Sequence, residues 1–449
     1  MPRNFKVGRF GLGLEAGWPP FKVLHPRLEG CGRTVRRRPA TVVALLLACA
    51  AGCAAMAALP IAFLKDNIQF AVAQEELQVG VIESSGQVLN PRTFADGKVK
   101  YISPEDWSSG FYPGTMWYLY ELTGDSTWKT YARKYTRAIE PAKDLKWHHD
   151  IGFIIQCSFG NGLRLGEERY KEVILQAARS LQTRFRPSAG VFQSWNVDRG
   201  WQAERGWECP VIIDNMMNLE LLFHAARLSG DSTFYKQAVS HADRTLQHHY
   251  RPDDSCYHVV DYSLRDGSVR QKHTAQGAAH ASAWARGQAW GIYGLTVCYR
   301  ETHDPKYLRQ AQKAFGFVVT HKNFPPDGVP YWDFDAPKIP EEPRDASSAA
   351  ILASALYELA TYEKGPFYRG WADKIMTSLA SPAYRATLGG NGNFLILHCV
   401  GSLPHNAEVD VPLNYADYYF LEALLRAGGR DAQRTNAPAR REGPAKAER

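Results

Sequence analysis

Leu122-Thr123-Gly124-Asp125-Ser126-Thr127-Trp128 returns later in the chain as Leu228-Ser229-Gly230-Asp231-Ser232-Thr233-Phe234-Tyr235, and this repeat decides the fold. Gly suits the left-handed residue that closes one helix. Asp125 and Asp231 suit the N-cap of the next, where a side-chain oxygen accepts an otherwise unpaired N–H. Looser copies stand at Thr302-His303-Asp304-Pro305-Lys306-Tyr307 and Glu363-Lys364-Gly365-Pro366-Phe367-Tyr368. There Asp304 is the cap and Pro305 takes the first helical position. Three of these junctions lead into an apolar stripe at helical spacing: Trp128, Tyr131, Tyr135, Ala138; Tyr235, Ala238, Ala242, Leu246; Leu308, Ala311, Phe315, Val318. These are stacked helical hairpins. Alternating β patterns are scarce, and Tyr257–Tyr262 reads as a loop edge. The chain beyond residue 64 divides into six hairpins of about 64 residues each. A closed all-α toroid is therefore favoured over an open solenoid, whose repeats would be shorter and more regular.

The bulk numbers narrow the function. The 449 residues are 45% apolar and 22% charged, with 12 Trp, 22 Tyr and 20 Phe. Such an aromatic excess fills cores and also supplies platforms for sugar faces. The net charge of +7 resembles a polyanion signal. Residues 1–39 hold nine Lys/Arg against two acids, however, which accounts for the whole excess. The body is neutral, and a nucleic-acid partner is not expected.

The leader has an export pattern. Arg36-Arg37-Arg38 precedes Ala40 to Leu64, a run of 25 residues without a charge. It reads as a secretory signal or an uncleaved anchor, and Cys49 and Cys53 add a lipoprotein reading. A bacterial periplasmic or lipid-anchored enzyme is expected, touching membrane only through this segment. The domain plan is 1–64 leader, 65–426 helical domain and 427–449 polar tail. Within the domain's first helix, Ile68, Ala71, Val72, Leu77 and Val79 make an apolar face. Cys157, Cys209, Cys256, Cys298 and Cys399 include no CxxC pair and are odd in number. They indicate neither a zinc site nor a disulfide framework and read as small buried hydrophobes.

Four segments could carry chemistry. Trp107-Ser108-Ser109-Gly110-Phe111-Tyr112-Pro113-Gly114 sets an indole on a rigid turn, as a stacking wall or a core residue. Trp147-His148-His149-Asp150-Ile151-Gly152-Phe153 places Asp150 before an apolar run, where it could cap a helix, act chemically, or both. A metal site here lacks the i, i+4 ligand spacing. In Val211-Ile212-Ile213-Asp214-Asn215-Met216-Met217-Asn218 a carboxyl is enclosed by aliphatics and methionines. Desolvation raises the pKa of such a group, which a general acid near neutral pH needs. A structural Asp held by backbone donors is the alternative. Finally, Gln276 through Trp290 includes Trp284-Ala285-Arg286-Gly287-Gln288-Ala289-Trp290. Arg286 lies four residues before Trp290, so a helix would present a cation and an indole on one face. That suits an anionic sugar or a stacked core pair equally.

The motifs His148-His149-Asp150-Ile151-Gly152-Phe153, Ile213-Asp214-Asn215-Met216-Met217-Asn218 and Trp284-Ala285-Arg286-Gly287-Gln288-Ala289-Trp290-Gly291-Ile292-Tyr293-Gly294 resemble, in that order, glycoside hydrolase family 88, the unsaturated glucuronyl hydrolases. The run Asp410-Val411-Pro412-Leu413-Asn414-Tyr415-Ala416-Asp417 is similar to theirs as well. The resemblance spans about residues 65–426 and implies an (α/α)6 barrel. It also implies removal of a 4,5-unsaturated uronic acid from lyase-generated oligosaccharides, with neither metal nor cofactor. By this resemblance Asp214 is the general acid/base and Asp150 the second essential carboxylate. Trp107, His149, His258, Gln276, Trp284, Arg286 and Trp290 then line the terminal sugar's subsite. Ser402 is a candidate near the C-terminal loop, where Cys399 stands in place of an expected Ser and gives no ground for sulfate recognition.

Two other readings remain. An unsaturated rhamnogalacturonyl hydrolase would share the barrel and the chemistry, but the His149-Asp150 pair argues against it. A non-catalytic glycan-binding protein would have no need of an enclosed acid such as Asp214.

Overall fold

The computed structural model describes residues 58–363 and 365–429. The basic leader, Cys49, Cys53 and the polar tail beyond Gly429 lie outside them. Twelve helices, each spanning at least eleven residues, build a ring among the described residues. Five hairpins follow one another in sequence. They are α2 (Phe111–Thr123) with α3 (Ser126–Ala138), α4 with α5 (Lys171–Gln182), α6 (Leu219–Ser229) with α7 (Ser232–His248), α8 (Ala285–Thr302) with α9 (Pro305–Thr320), and α10 (Ala346–Leu359) with α11 (Phe367–Leu379). Helix α4 runs through Ile151–Ile155, a π-type turn at Gln156–Gly160, and Asn161–Arg164. The sixth pair joins α12 (Asn414–Ala427) to α1 (Ile61–Ser84) from the other end of the chain. Inner helices α2, α4, α6, α8, α10 and α12 pack neighbour to neighbour, and α12 meets α2 to close the circle.

The junction repeat works as its sequence implies. Asp125, Asp231 and Asp304 accept N–H hydrogen bonds from Thr127, Thr233 and Lys306 at 2.8, 2.8 and 3.0 Å. Each cap satisfies an N–H that the first helical turn would otherwise leave unpaired. Gly124 and Gly230 sit at φ 76° and 74°, and His303 takes the equivalent left-handed position at φ 57°. The fourth copy differs, since Pro366 precedes α11 without a side-chain cap.

The inner and outer helices differ in how they are buried. Every residue of α10 and α12 is buried, whereas the outer helices bury one stripe. Two stripes begin a residue earlier than their spacing suggested. Phe234 is buried while Tyr235 is 37% exposed, and Tyr307 is buried ahead of Leu308. In the first stripe Ala138 is exposed, and Ala132 and Thr136 take its side of the core.

Helix α1 departs further from expectation. It starts at Ile61, inside the apolar run, and Leu77 is exposed. Its buried face is largely polar: Asn67, Gln74, Glu75 and Gln78 beside Ala71, Val79 and Ile82. The reason is the loop it covers. Gln74 donates to the Gly390 and Phe394 carbonyls at 3.0 and 3.1 Å and accepts from the Gly389 N–H at 2.8 Å. An apolar face there would strand those backbone groups.

Short antiparallel strands rise from the ring. β1 (Asn90–Ala95) pairs with β2 (Lys98–Ile102), and β3 (Phe185–Arg186) with β4 (Val191–Phe192). β5 (Pro210–Ile212), β6 (Val259–Tyr262) and β7 (Val269–His273) form a three-stranded sheet, and β8 (Cys399–Ser402) pairs with β9 (Ala407–Val411). The segment read as a loop edge is thus a central strand. All four residues of β6 are buried, so no polar alternation announces it.

Candidate active site

Strand β5 delivers the chain into the 3-10 turn Ile213–Asn218, which carries Asp214 against helix α8. Three glycines make that approach feasible. A Cβ on Gly287 would meet Ile213 at 3.2 Å, one on Gly291 the same side chain at 3.4 Å, and one on Gly294 the Met216 Cβ at 2.5 Å. Spaced i, i+4, i+7, they form one bare stripe in which the Asp214 turn rests.

Asp214 and Asp150 line a single cavity. Burial pushes the Asp214 carboxyl up to about 7. The Arg286 charge opposes this, the Asp150 charge adds to it, and the Trp290 indole is the smallest opposing influence. Asp214 Oδ2 has no hydrogen-bond partner in the protein and lies 3.8 Å from His258 Nε2. The His258 ring is neutral, because burial, then Arg286, holds its pKa far below the ordinary value. Its Nδ1 accepts from the Ala275 and Gln276 N–H groups at 3.1 and 3.2 Å, so the ring proton sits on Nε2, toward Asp214.

Asp150 occupies the N-cap position of α4, yet its side chain makes no cap hydrogen bond. The carboxylate lies instead 3.3 Å from His149 Nε2 and 3.5 Å from His148 Nδ1. Burial would raise its pKa, but His149, His148 and Arg184 outweigh that and hold it below the ordinary value. His149 is fully buried and its pKa is pushed down to about 4 by burial.

Of the residues singled out from sequence, Trp107, Asp150, Asp214, Gln276, Arg286 and Ser402 line the cavity. His149, His258, Trp284 and Trp290 do not line it but support residues that do. Trp284 stacks under the Arg286 guanidinium at 4.6 Å and beside His258. Trp290 is wholly buried among Phe153 and Tyr419, so the expected Arg286–Trp290 face does not form. Helix α8 begins at Ala285, and the cation folds back over its N-terminus instead. Nor does Arg286 offer a free bidentate edge. Its terminal nitrogens donate to the Val400 carbonyl and, at 2.6 Å, to the Gly401 carbonyl of β8, with Asp345 at 3.3 Å. Its charge still faces the cavity. Ser402 is 2.6 Å from His405 Nδ1, and Cys399 is buried away from the lining.

Arg92, Trp195, Glu408 and Tyr415 also line the cavity, beside Ile212, Gly401 and Ala407, and none of them was given a role from sequence. Arg92 grips Glu408 through two nitrogens and Asp106 at 2.6 Å, tying β1 to β9. Glu408 holds φ 55° and Asp410 φ 56°, a strained backbone for non-glycine residues at the edge of the site. The five cysteines beyond the leader are buried, as small hydrophobes are. Among the described residues no group of three or more His, Cys, Asp or Glu is arranged to hold a metal ion.

A closed six-hairpin ring with two carboxyls whose pKa values are pushed apart in one tryptophan-walled cavity defines a toroidal glycoside hydrolase. The sequence profile described as Glycosyl Hydrolase Family 88 matches residues 90–419, and the chain belongs to that family. It is 47% identical over 330 residues to an unsaturated glucuronyl hydrolase of Formosa agariphila, covering 73% of this chain and 81% of that protein. It is 32% identical over 343 residues to an unsaturated glucuronyl hydrolase of Bacillus sp. strain GL1, covering 74% and 89%. A crystal structure of an unsaturated glucuronyl hydrolase specific for heparin superposes with a TM-score of 0.78 at 41% identity, covering 83% of this chain and 99% of that one.

Proposed function

We propose that this chain removes 4,5-unsaturated uronic acid from the non-reducing end of lyase-generated glycosaminoglycan oligosaccharides. One observation carries the chemistry: Asp214, held protonated near neutrality by burial, shares a cavity with an ionised Asp150. The C4=C5 bond of the substrate is a vinyl ether. Asp214 donates its proton to C4, and oxocarbenium character develops on C5 and the ring oxygen. The Asp214 carboxylate then takes a proton from the water that attacks C5. The resulting hemiketal opens and releases the next sugar. The anomeric carbon is never attacked, so carboxyl separation does not dictate retention or inversion.

His258 offers a neutral N–H beside Asp214 and helps the carboxylate form after proton donation. Asp150 serves the ring hydroxyls, Trp107 supplies a stacking face, and the Arg286 charge favours the uronate. The basic run and apolar stretch of the leader support export, with membrane contact through that segment alone.

Incubation with unsaturated chondroitin, hyaluronan and heparin disaccharides tests the reading. The ultraviolet absorbance of the conjugated double bond should disappear with at least one of them. Persistence of that absorbance with every substrate would favour a glycan-binding role instead.

A further inference from the structure

The His149 ring is fixed from behind by a side chain that the chemistry above does not use. Asn218 closes the turn that carries Asp214 and reaches across to α4. Its Oδ1 accepts the Phe153 N–H at 3.0 Å, which settles which end of the amide is oxygen. Its Nδ2 therefore faces His149 Nδ1, 3.2 Å away, and donates to it. A neutral imidazole that accepts at Nδ1 must carry its proton at Nε2, and Nε2, which makes no hydrogen bond within the protein, stands 3.3 Å from Asp150 Oδ1, close enough for its positive end to act on the carboxylate. The approach is made by sequence, since a Cβ on Gly152 would fall 2.5 Å from Asn218 Cα. The His149–Phe153 and Asp214–Asn218 segments thus interlock through one amide.

We propose that Asn218 is a positioning residue for the reaction: by donating to His149 Nδ1 it selects the ring tautomer whose N–H faces Asp150, and so fixes the carboxylate opposite Asp214. The surroundings agree. His148 and Asp150 flank the ring on its own segment, and Arg184 bears on both from behind. None of these supplies a competing donor at Nδ1. Asn215, anchored to the Phe192 carbonyl at 2.8 Å, favours a proton on the ring. With burial holding the ring neutral above about pH 4, the tautomer is the property left to choose. Were Nδ1 protonated instead, a lone pair at Nε2 would face the Asp150 carboxylate and repel it.

The inference rests on the proposed hydrolase reading, but its test reads the ring directly. Asn218→Asp has the same shape and keeps an oxygen for the Phe153 N–H, while replacing the donor at Nδ1 by an acceptor. The expected result is a fall in kcat of about tenfold or more, with KM changed less than about threefold. The thermal midpoint should shift by only a few degrees. The 15N signals of His149 should move from the Nε2–H pattern toward Nδ1–H or the doubly protonated ring. Wild-type kcat in this variant would mean that Asn218 only packs, and would overturn the proposal. Should the variant not fold, the wild-type protein decides alone. Its His149 must give the Nε2–H pattern from about pH 5 to about pH 8, and an Nδ1–H ring would refute the assignment even if no substrate is ever found.

Discussion

Asp150 and Asp214 stand in comparable places: each begins an inner segment of the ring, each lines the same cavity, and their side chains are 14% and 12% exposed. Their ionisation is opposite. Burial pushes both upward, so burial does not separate them. Neighbours do. Two histidines and Arg184 together outweigh burial at Asp150, whereas at Asp214 the Arg286 charge does not, with the Asp150 charge working against it and one carboxyl oxygen left unpartnered. A pair of acids becomes an acid and a base through what the fold brings beside each one.

The largest blow to this comparison is removal of the acid. Asp214→Asn should lower kcat by about a thousandfold or more while the ring still folds. Its stability should respond in a defined direction. The wild-type carboxyl binds its proton more tightly folded than unfolded, so its contribution is complete below the ordinary value of 3.8 and is lost as pH rises toward about 7. The amide variant escapes that loss. Thermal melts above about pH 7 should place it higher than the wild type by a few degrees.

A subtler break removes the partner. Asp150→Asn should cost about a hundredfold in kcat/KM. It also withdraws a negative charge that raises the Asp214 pKa, so the alkaline limb of the residual activity should move to lower pH. An unmoved limb would mean that the two carboxyls are electrostatically independent.

Geometry can be disturbed without touching either acid. In Gly294→Ala the new methyl would sit 2.5 Å from Met216 Cβ and 3.1 Å from its backbone, two residues beyond Asp214. Denaturant titration should find the variant about 1–3 kcal/mol less stable, with kcat reduced beyond what unfolding explains. The smallest effect is expected far from the cavity. Asp125→Ala should lower the thermal midpoint slightly through the missing cap and leave the activity of the folded protein unchanged.

The ring was legible because its signals are local. A left-handed residue followed by a capping Asp marks three of the five consecutive hairpins within a few residues, and Asp125, Asp231 and Asp304 all cap as their sequence implies. The identities of the two acids were legible too, from motif and apolar setting. What failed to show in sequence depends on segments that meet only after folding. Arg92 and Glu408 are 316 residues apart, and nothing near either predicts the grip. Trp290 has the spacing of a partner for Arg286, yet the cation turns back to Trp284 and the β8 carbonyls. The glycines of α8 were quoted without a role, since a bare stripe has meaning only beside the turn that fills it. Asn218 stood in the same quoted motif as Asp214, but the backbone it serves lies 65 residues away in sequence.

The central claim is that one carboxyl stays protonated near neutrality beside another that does not. Carbon-13 titration of the aspartate carboxyls, with Asp214→Asn and Asp150→Asn to assign the signals, measures this directly. The account predicts a midpoint for Asp214 near about 7 and one for Asp150 below the ordinary 3.8. Two carboxyls titrating together in the ordinary range, or Asp150 holding the higher midpoint, would contradict it.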